Sequence, residues 1–175
     1  MPCPNAKSGK STPLADLPFD ADERQVLRIA RMVFRSFAMP ESQAWIGGVG
    51  AALERFDHSH APHLFVATLG AVQSMRRARQ SVFSFNDPCC ADCAGSVTDP
   101  ERLFLGGLRA MRDDAPDRAA ALATILCEGN DSGPWLLALR TLASQMPPRV
   151  VRVAPDMASD GAVARRRQDP NAWVV

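Results

Sequence analysis

Cys89, Cys90 and Cys93 stand together in a Cys-Cys-Ala-Asp-Cys run, and Cys127 closes a helical pattern further along the chain. Cys90 and Cys93 form a Cys-x-x-Cys pair, which offers two thiolates to one ion from a single turn; a structural zinc takes about four ligands in a tetrahedron, with sulfur at about 2.3 Å. Cys127 is the expected third ligand, and Cys89 the fourth, with Cys3 or a carboxylate such as Asp87 as alternatives. Two other chemistries use the same atoms. Thiols ahead of a helix N-terminus, with Arg76, Arg77 and Arg79 close by, could ionise easily and act as a redox switch. Alternatively the run is an inert loop and Cys127 a small buried hydrophobe. A thioredoxin-like dithiol would open a helix after a strand in a βαβ setting, whereas the surroundings here read as helical.

Two further clusters carry charge or ligating groups. Arg24, Arg28, Arg31 and Arg35 fall within about 60° of one another on a helical wheel, opposite an apolar face. With few acids within i+4 reach, they are expected to lie exposed along one line, where they could contact phosphates or an acidic protein partner. The tail triplet Arg165-Arg166-Arg167 could extend that surface. A recognition helix would also need a helix-turn-helix frame and base-reading polar side chains, neither of which is visible. His58, His60 and His63 cluster beside Asp57 and could form a metal site of their own, or simply a solvated loop. They precede the third expected helix while the cysteine run follows it, about 25 Å away if that helix is straight, so the two groups are not expected to share an ion. Ser8-Gly9-Lys10-Ser11 resembles the end of a phosphate-binding loop, but the pattern requires glycine where Pro4 stands and a strand before it.

The elements that must position these residues follow from periodicity. The first helix spans about 22–38, with Val26, Ile29, Ala30, Val33, Phe34 and Phe37 inward, and Pro40 stops it. The second spans about 41–56 and is expected to bury Trp45, Ile46, Val49, Leu53 and Phe56. Gly47, Gly48 and Gly50 each weaken it by about 1 kcal/mol relative to alanine and suggest close helix packing. The third starts near Pro62, carries Leu64, Phe65, Thr68, Leu69, Val72 and Met75 on one face, and fades near Arg79. Residues 81–85 read as a short extended piece, which residues 149–153 could pair with. Thr98 and Glu101 form a capping box opening the fourth helix, which runs to about Arg112. Pro116 opens the fifth, with Gly129 as its C-terminal cap. Gly133-Pro134 opens the sixth, with Trp135, Leu136, Leu139, Leu142 and Met146 inward, and Pro147-Pro148 closes it. The short link at 113–115 forces the fourth and fifth helices into an antiparallel hairpin, which is expected to bring Cys127 within about 10 Å of Cys93.

The 175 residues suffice for one domain with a real core. A formal net charge of +1 gives no global attraction to nucleic acid or anionic lipid. Mean hydropathy is −0.12, and no apolar run approaches the roughly 18 residues that cross a bilayer. The N-terminus lacks the apolar stretch of a secretory signal, which points to the cytoplasm and to reduced thiols. Of the 20 basic residues only Lys7 and Lys10 are lysine, and tyrosine is absent; that bias reads as base composition of the gene.

The expectation is an all-α, single-domain bundle of about six helices over 19–147, with a flexible leader over 1–18 and a C-terminal tail over 148–175. Its expected role is regulatory or protein-binding, with zinc held by Cys89, Cys90, Cys93 and Cys127 ordering the loop before the fourth helix and with a protein partner. The alternatives are a nucleic-acid-associated transcriptional regulator using the arginine stripe, and a thiol-based redox sensor or enzyme. The enzyme ranks last because no general base or oxyanion-binding loop accompanies the thiols.

Overall fold

Asp20 starts the first helix by a reciprocal cap: its carboxylate accepts from the Glu23 N–H at 2.8 Å, and the Glu23 carboxylate accepts from the Asp20 N–H at 2.9 Å. The computed structural model describes residues 12–149. Among these, α1 runs Ala21–Ala38, α2 Trp45–Arg55, α3 Ala61–Ala78, a one-turn α4 Ala91–Ala94, α5 Asp99–Arg112, α6 Pro116–Leu126 and α7 Gly133–Ser144. The fold is all-α, apart from a two-residue antiparallel ladder in which Thr12 of β1 (Thr12–Pro13) faces Val97 of β2 (Ser96–Val97). The six longer helices are those the periodicity predicts, except that α2 starts four residues later than expected, after a separate 3-10 turn at Pro40–Ser42 and a left-handed Gln43 at φ 46°. No described helix is long and apolar enough to cross a membrane.

The packing order follows from where apolar stripes meet. α1 lies against α2 and α3, α3 against α7, and α5 against both α6 and α7. The core between them contains Leu27, Ile29, Leu64, Met75, Phe104 and Trp135, all fully buried. Trp135 of α7 reaches the backbone of α5 because position 107 is glycine: a Cβ there would stand 2.8 Å from the indole Cη2.

The α5–α6 hairpin forms as expected. Thr98 and Glu101 make the second capping box, and Gly106 of α5 faces Leu122 of α6. The end of α6 differs in one detail. The left-handed C′ position is taken by Glu128 at φ 59°, with Gly129 following at φ 76°. The Glu128 N–H bonds Ile125 O at 3.2 Å and the Gly129 N–H bonds Thr124 O at 2.9 Å, the two bonds of a Schellman motif.

Part of the expected leader is built into the fold. Residues 12–18 contribute β1 and a 3-10 turn at Leu14–Asp16; Leu14 donates to Gly95 O at 2.8 Å, and Leu14 and Leu17 pack on the core. The extended piece at 81–85 pairs with no strand among the described residues; Phe83 and Phe85 instead stack on Phe34 at centroid distances of 4.3 and 5.5 Å. Cys3, the Ser8–Ser11 run, residues 150–153 and the 165–167 arginines lie outside the described residues.

Candidate functional site

The loop before α5 is organised by a buried ion pair. Arg31 is 3% exposed and Glu101 is fully buried. Arg31 Nε meets Glu101 Oε1 at 2.7 Å and its Nη2 meets Oε2 at 2.9 Å, the bidentate fork suited to carboxylates. The remaining donors of Arg31 go to the backbone carbonyls of Ala94 and Ser96. Asn86 completes the cluster, its N–H donating to Glu101 Oε1 at 3.0 Å and its side-chain amide to Ser96 O at 2.8 Å. Four donors thus converge on the two oxygens of Glu101, one of them the Thr98 N–H of the cap. The burial of a full charge pair is costly unless every polar atom is matched, and here the matching atoms come from the cysteine loop itself.

The four cysteines sit in unlike environments. Cys89 is exposed, and its N–H donates to Asp87 Oδ1 at 2.9 Å. Cys90 is the N-cap residue of α4, and Cys93 is buried within that turn. Cys127 is buried at the C-cap of α6, where burial pushes its thiol above the ordinary range although Arg79 opposes the shift. Among the described residues no group of three or more His, Cys, Asp or Glu side chains converges as metal ligands would. Asp87, a candidate ligand, is engaged by the Arg35 guanidinium. Its burial raises the carboxyl pKa, but the Cys89 N–H and Arg35 outweigh that and hold it below the usual range.

The arginine stripe requires a correction. Arg28 is exposed but paired with Glu54, Arg35 is half-buried against Asp87, and Arg31 is interior. Arg24 is half-buried and donates to Leu17 O at 3.3 Å. The four do not form one exposed line. Local acids are indeed scarce, but neutralisation comes from distant elements: Glu54 on α2, Asp87 in the loop and Glu101 on α5. In the histidine cluster, Asp57 accepts from the backbone of Ser59 and His60 and from His60 Nδ1, which engages His60 in a turn.

A larger correction concerns α2. The sequence reading turns Trp45, Ile46, Val49 and Leu53 inward, whereas the structure buries Gly48, Ala51 and Ala52. Trp45 is 49%, Ile46 54% and Leu53 39% exposed. A Cβ on Gly48 would meet Phe65 Cε2 at 3.0 Å and Met32 Cβ at 3.3 Å, so the helix sits against α1 and α3 at a distance only small residues allow. The large side chains then cover an arc of about 100° on the outer face. Phe37 and Met39, both exposed, extend this patch across the α1–α2 corner. Beside it a cleft of about 210 Å³ opens between Phe37, Trp45, Phe65 and Leu69. The sequence signal was present in the Gly-Gly-x-Gly-Ala-Ala run at 47–52, since a stripe of small residues marks the side of closest approach.

Comparison with known protein families, with characterised proteins and with solved structures finds no match to this chain.

Proposed function

We propose that this chain is a protein-interaction module that pairs with a second copy of itself through the outer face of α2. The observation that carries the reading is the inverted helix: Trp45, Ile46 and Leu53 face solvent on an element whose interior side is glycine and alanine. Contiguous apolar surface of this kind on a folded chain marks an association site. The charge around it is self-complementary. Glu41, just before α2, has no ion pair among the described residues, while Arg55 at the far end keeps an exposed guanidinium beside Asp22. Two α2 helices, each of 11 residues and so about 16 Å long, crossing antiparallel level with residues 48–49 would bring each Glu41 toward the facing Arg55. Position 50 meets nothing within 4 Å in its own chain, leaving room for a facing side chain, and the adjoining cleft can take one more. A two-fold pairing makes the same patch serve both partners.

Light scattering and sedimentation velocity across a concentration series test this. The expected result is a mass between one and two chains that rises with concentration, with Ile46→Glu raising the dissociation constant at least tenfold through a buried unpaired charge. Because position 46 is exposed, circular dichroism and Tm of that variant should match those of the parent. A monomer throughout, with Ile46→Glu unchanged, overturns the reading and leaves the patch to a different protein.

A further inference from the structure

Where α3 ends, the chain turns away and leaves a cavity of about 310 Å³ between α1 and residues 79–85. Its walls are the rings of Phe34, Phe37 and Phe83, with Arg76, Arg79 and Ser81 at the polar side. We infer that this cavity binds a small monocarboxylate carrying a flat apolar body.

The walls are held in place before any ligand arrives. Phe34 stacks on Phe83 with an interplanar angle of 16°. The Glu128 carboxylate accepts from the N–H groups of Gln80 at 2.8 Å and Ser81 at 3.1 Å and from the Ser81 hydroxyl. Glu128 does this from a left-handed backbone conformation, φ 59°, which a residue with a Cβ adopts only where its surroundings hold it there. Arg79 joins the same brace, donating to Leu126 O and to Ser81 Oγ at 2.8 Å and pairing with Glu128 at 2.9 Å.

The charge balance selects the ligand. Arg79 is neutralised by Glu128, yet its Nε is buried without a hydrogen-bond partner among the described residues. Arg76 lies 3.8 Å above the Phe37 ring and donates to Gln73 Oε1, and no carboxylate among the described residues pairs with it. The cavity therefore presents one uncompensated positive charge over an aromatic floor. A guanidinium held flat on a ring still offers its edge to a carboxylate fork. A dianionic phosphate fits less well, because Arg76 answers only one charge while Arg79 is already paired with Glu128, and the rings offer the second charge nothing. A neutral aromatic would leave Arg76 unanswered. The volume stands at the lower limit of ordinary ligand pockets, which favours a body of one or two rings.

The inference is separable from self-association: Phe37 borders both sites, but Arg76, Arg79, Ser81 and Phe83 line only this cavity. The test titrates isotope-labelled full-length protein with 2-naphthoate, with neutral 2-naphthamide and inorganic phosphate as comparison probes, reading backbone amide shifts. Expected is saturable binding of 2-naphthoate with shifts concentrated at residues 76–85, at least tenfold weaker binding of the amide, and none of phosphate at the same concentrations. Arg76→Gln should weaken 2-naphthoate about tenfold and Arg76→Lys less, while Arg77→Gln on the neighbouring face leaves it unchanged. Equal binding of the amide, phosphate binding as tight as the carboxylate, shifts centred on α2 or α7, or an unaffected Arg76→Gln would overturn the assignment. Repeating the titration with Ile46→Glu keeps the two proposals separable.

Discussion

Replacing Glu101 by glutamine removes one charge and one of two acceptor oxygens at the centre of the Arg31 cluster. The parent carboxylate receives Arg31 Nε at 2.7 Å and Asn86 N–H at 3.0 Å on Oε1, and Arg31 Nη2 and Thr98 N–H, both at 2.9 Å, on Oε2. An amide must turn its NH2 toward one of these pairs, so two donors lose their acceptor whichever way it lies. The Arg31 charge, 3% exposed, is then interior without a counter-charge. Removing one partner of a buried pair costs about 3–5 kcal/mol, against a total stability of about 5–15 kcal/mol for a domain. At about 2–4 °C per kcal/mol for this chain length, Tm should fall by about 6–20 °C. Urea unfolding followed by circular dichroism gives the free energy, and hydrogen exchange should show the Asn86 and Thr98 amides losing protection first. Replacing both residues, as Arg31→Met with Glu101→Met, should recover part of the loss because no isolated charge remains. A loss below about 1 kcal/mol for Glu101→Gln, or exchange protection unchanged at Asn86, would refute the view that this pair holds the loop.

Gly107→Ala should cost about 1–3 kcal/mol by overpacking, because its Cβ lands 2.8 Å from the fully buried Trp135. Gly50→Ala, with open space around it, should gain up to about 1 kcal/mol of helix propensity, measured by urea unfolding of dilute protein; the reverse order would contradict the packing. The Ser81 hydroxyl and the N–H groups of Gln80 and Ser81 hold the Glu128 carboxyl down to about 2. Its pKa is lower folded than unfolded, so its contribution is present at neutral pH and lost as pH falls through the ordinary carboxylate range toward 2. Glu128→Gln should flatten that acidic limb of the stability curve. Iodoacetamide should label exposed Cys89 well before Cys127, whose burial keeps it protonated; mass spectrometry that finds Cys127 labelled first would contradict its placement. If the Arg31–Glu101 pair suffices to order the loop, a strong chelator should leave Tm unchanged; a chelator-induced fall would show that the cysteines hold a metal.

Much of the fold was legible because its signals are local. The Thr98–Glu101 cap, the proline at the start of α6 and α7, and the apolar stripes of α1, α3, α5 and α7 depend on residues within a turn or two of one another. The α5–α6 hairpin followed from a three-residue link. The site residues were not legible in this way, because their partners are far apart in sequence. Arg31 is 70 residues from Glu101, and nothing within one turn of α1 distinguishes it from exposed Arg28. The face of α2 was read from hydrophobicity, which says which side chains prefer burial, whereas steric fit decided which could be buried: Phe65 and Met32 leave room only for Gly48. The sequence by itself determined that six long helices form, where the capped ones start, and that they bundle, but not the start of α2 at Trp45 or the single turn at Ala91–Ala94. Tertiary structure decided which charges are neutralised and which apolar face stays outside, since both are settled by the closest approach of elements that the chain brings together only on folding.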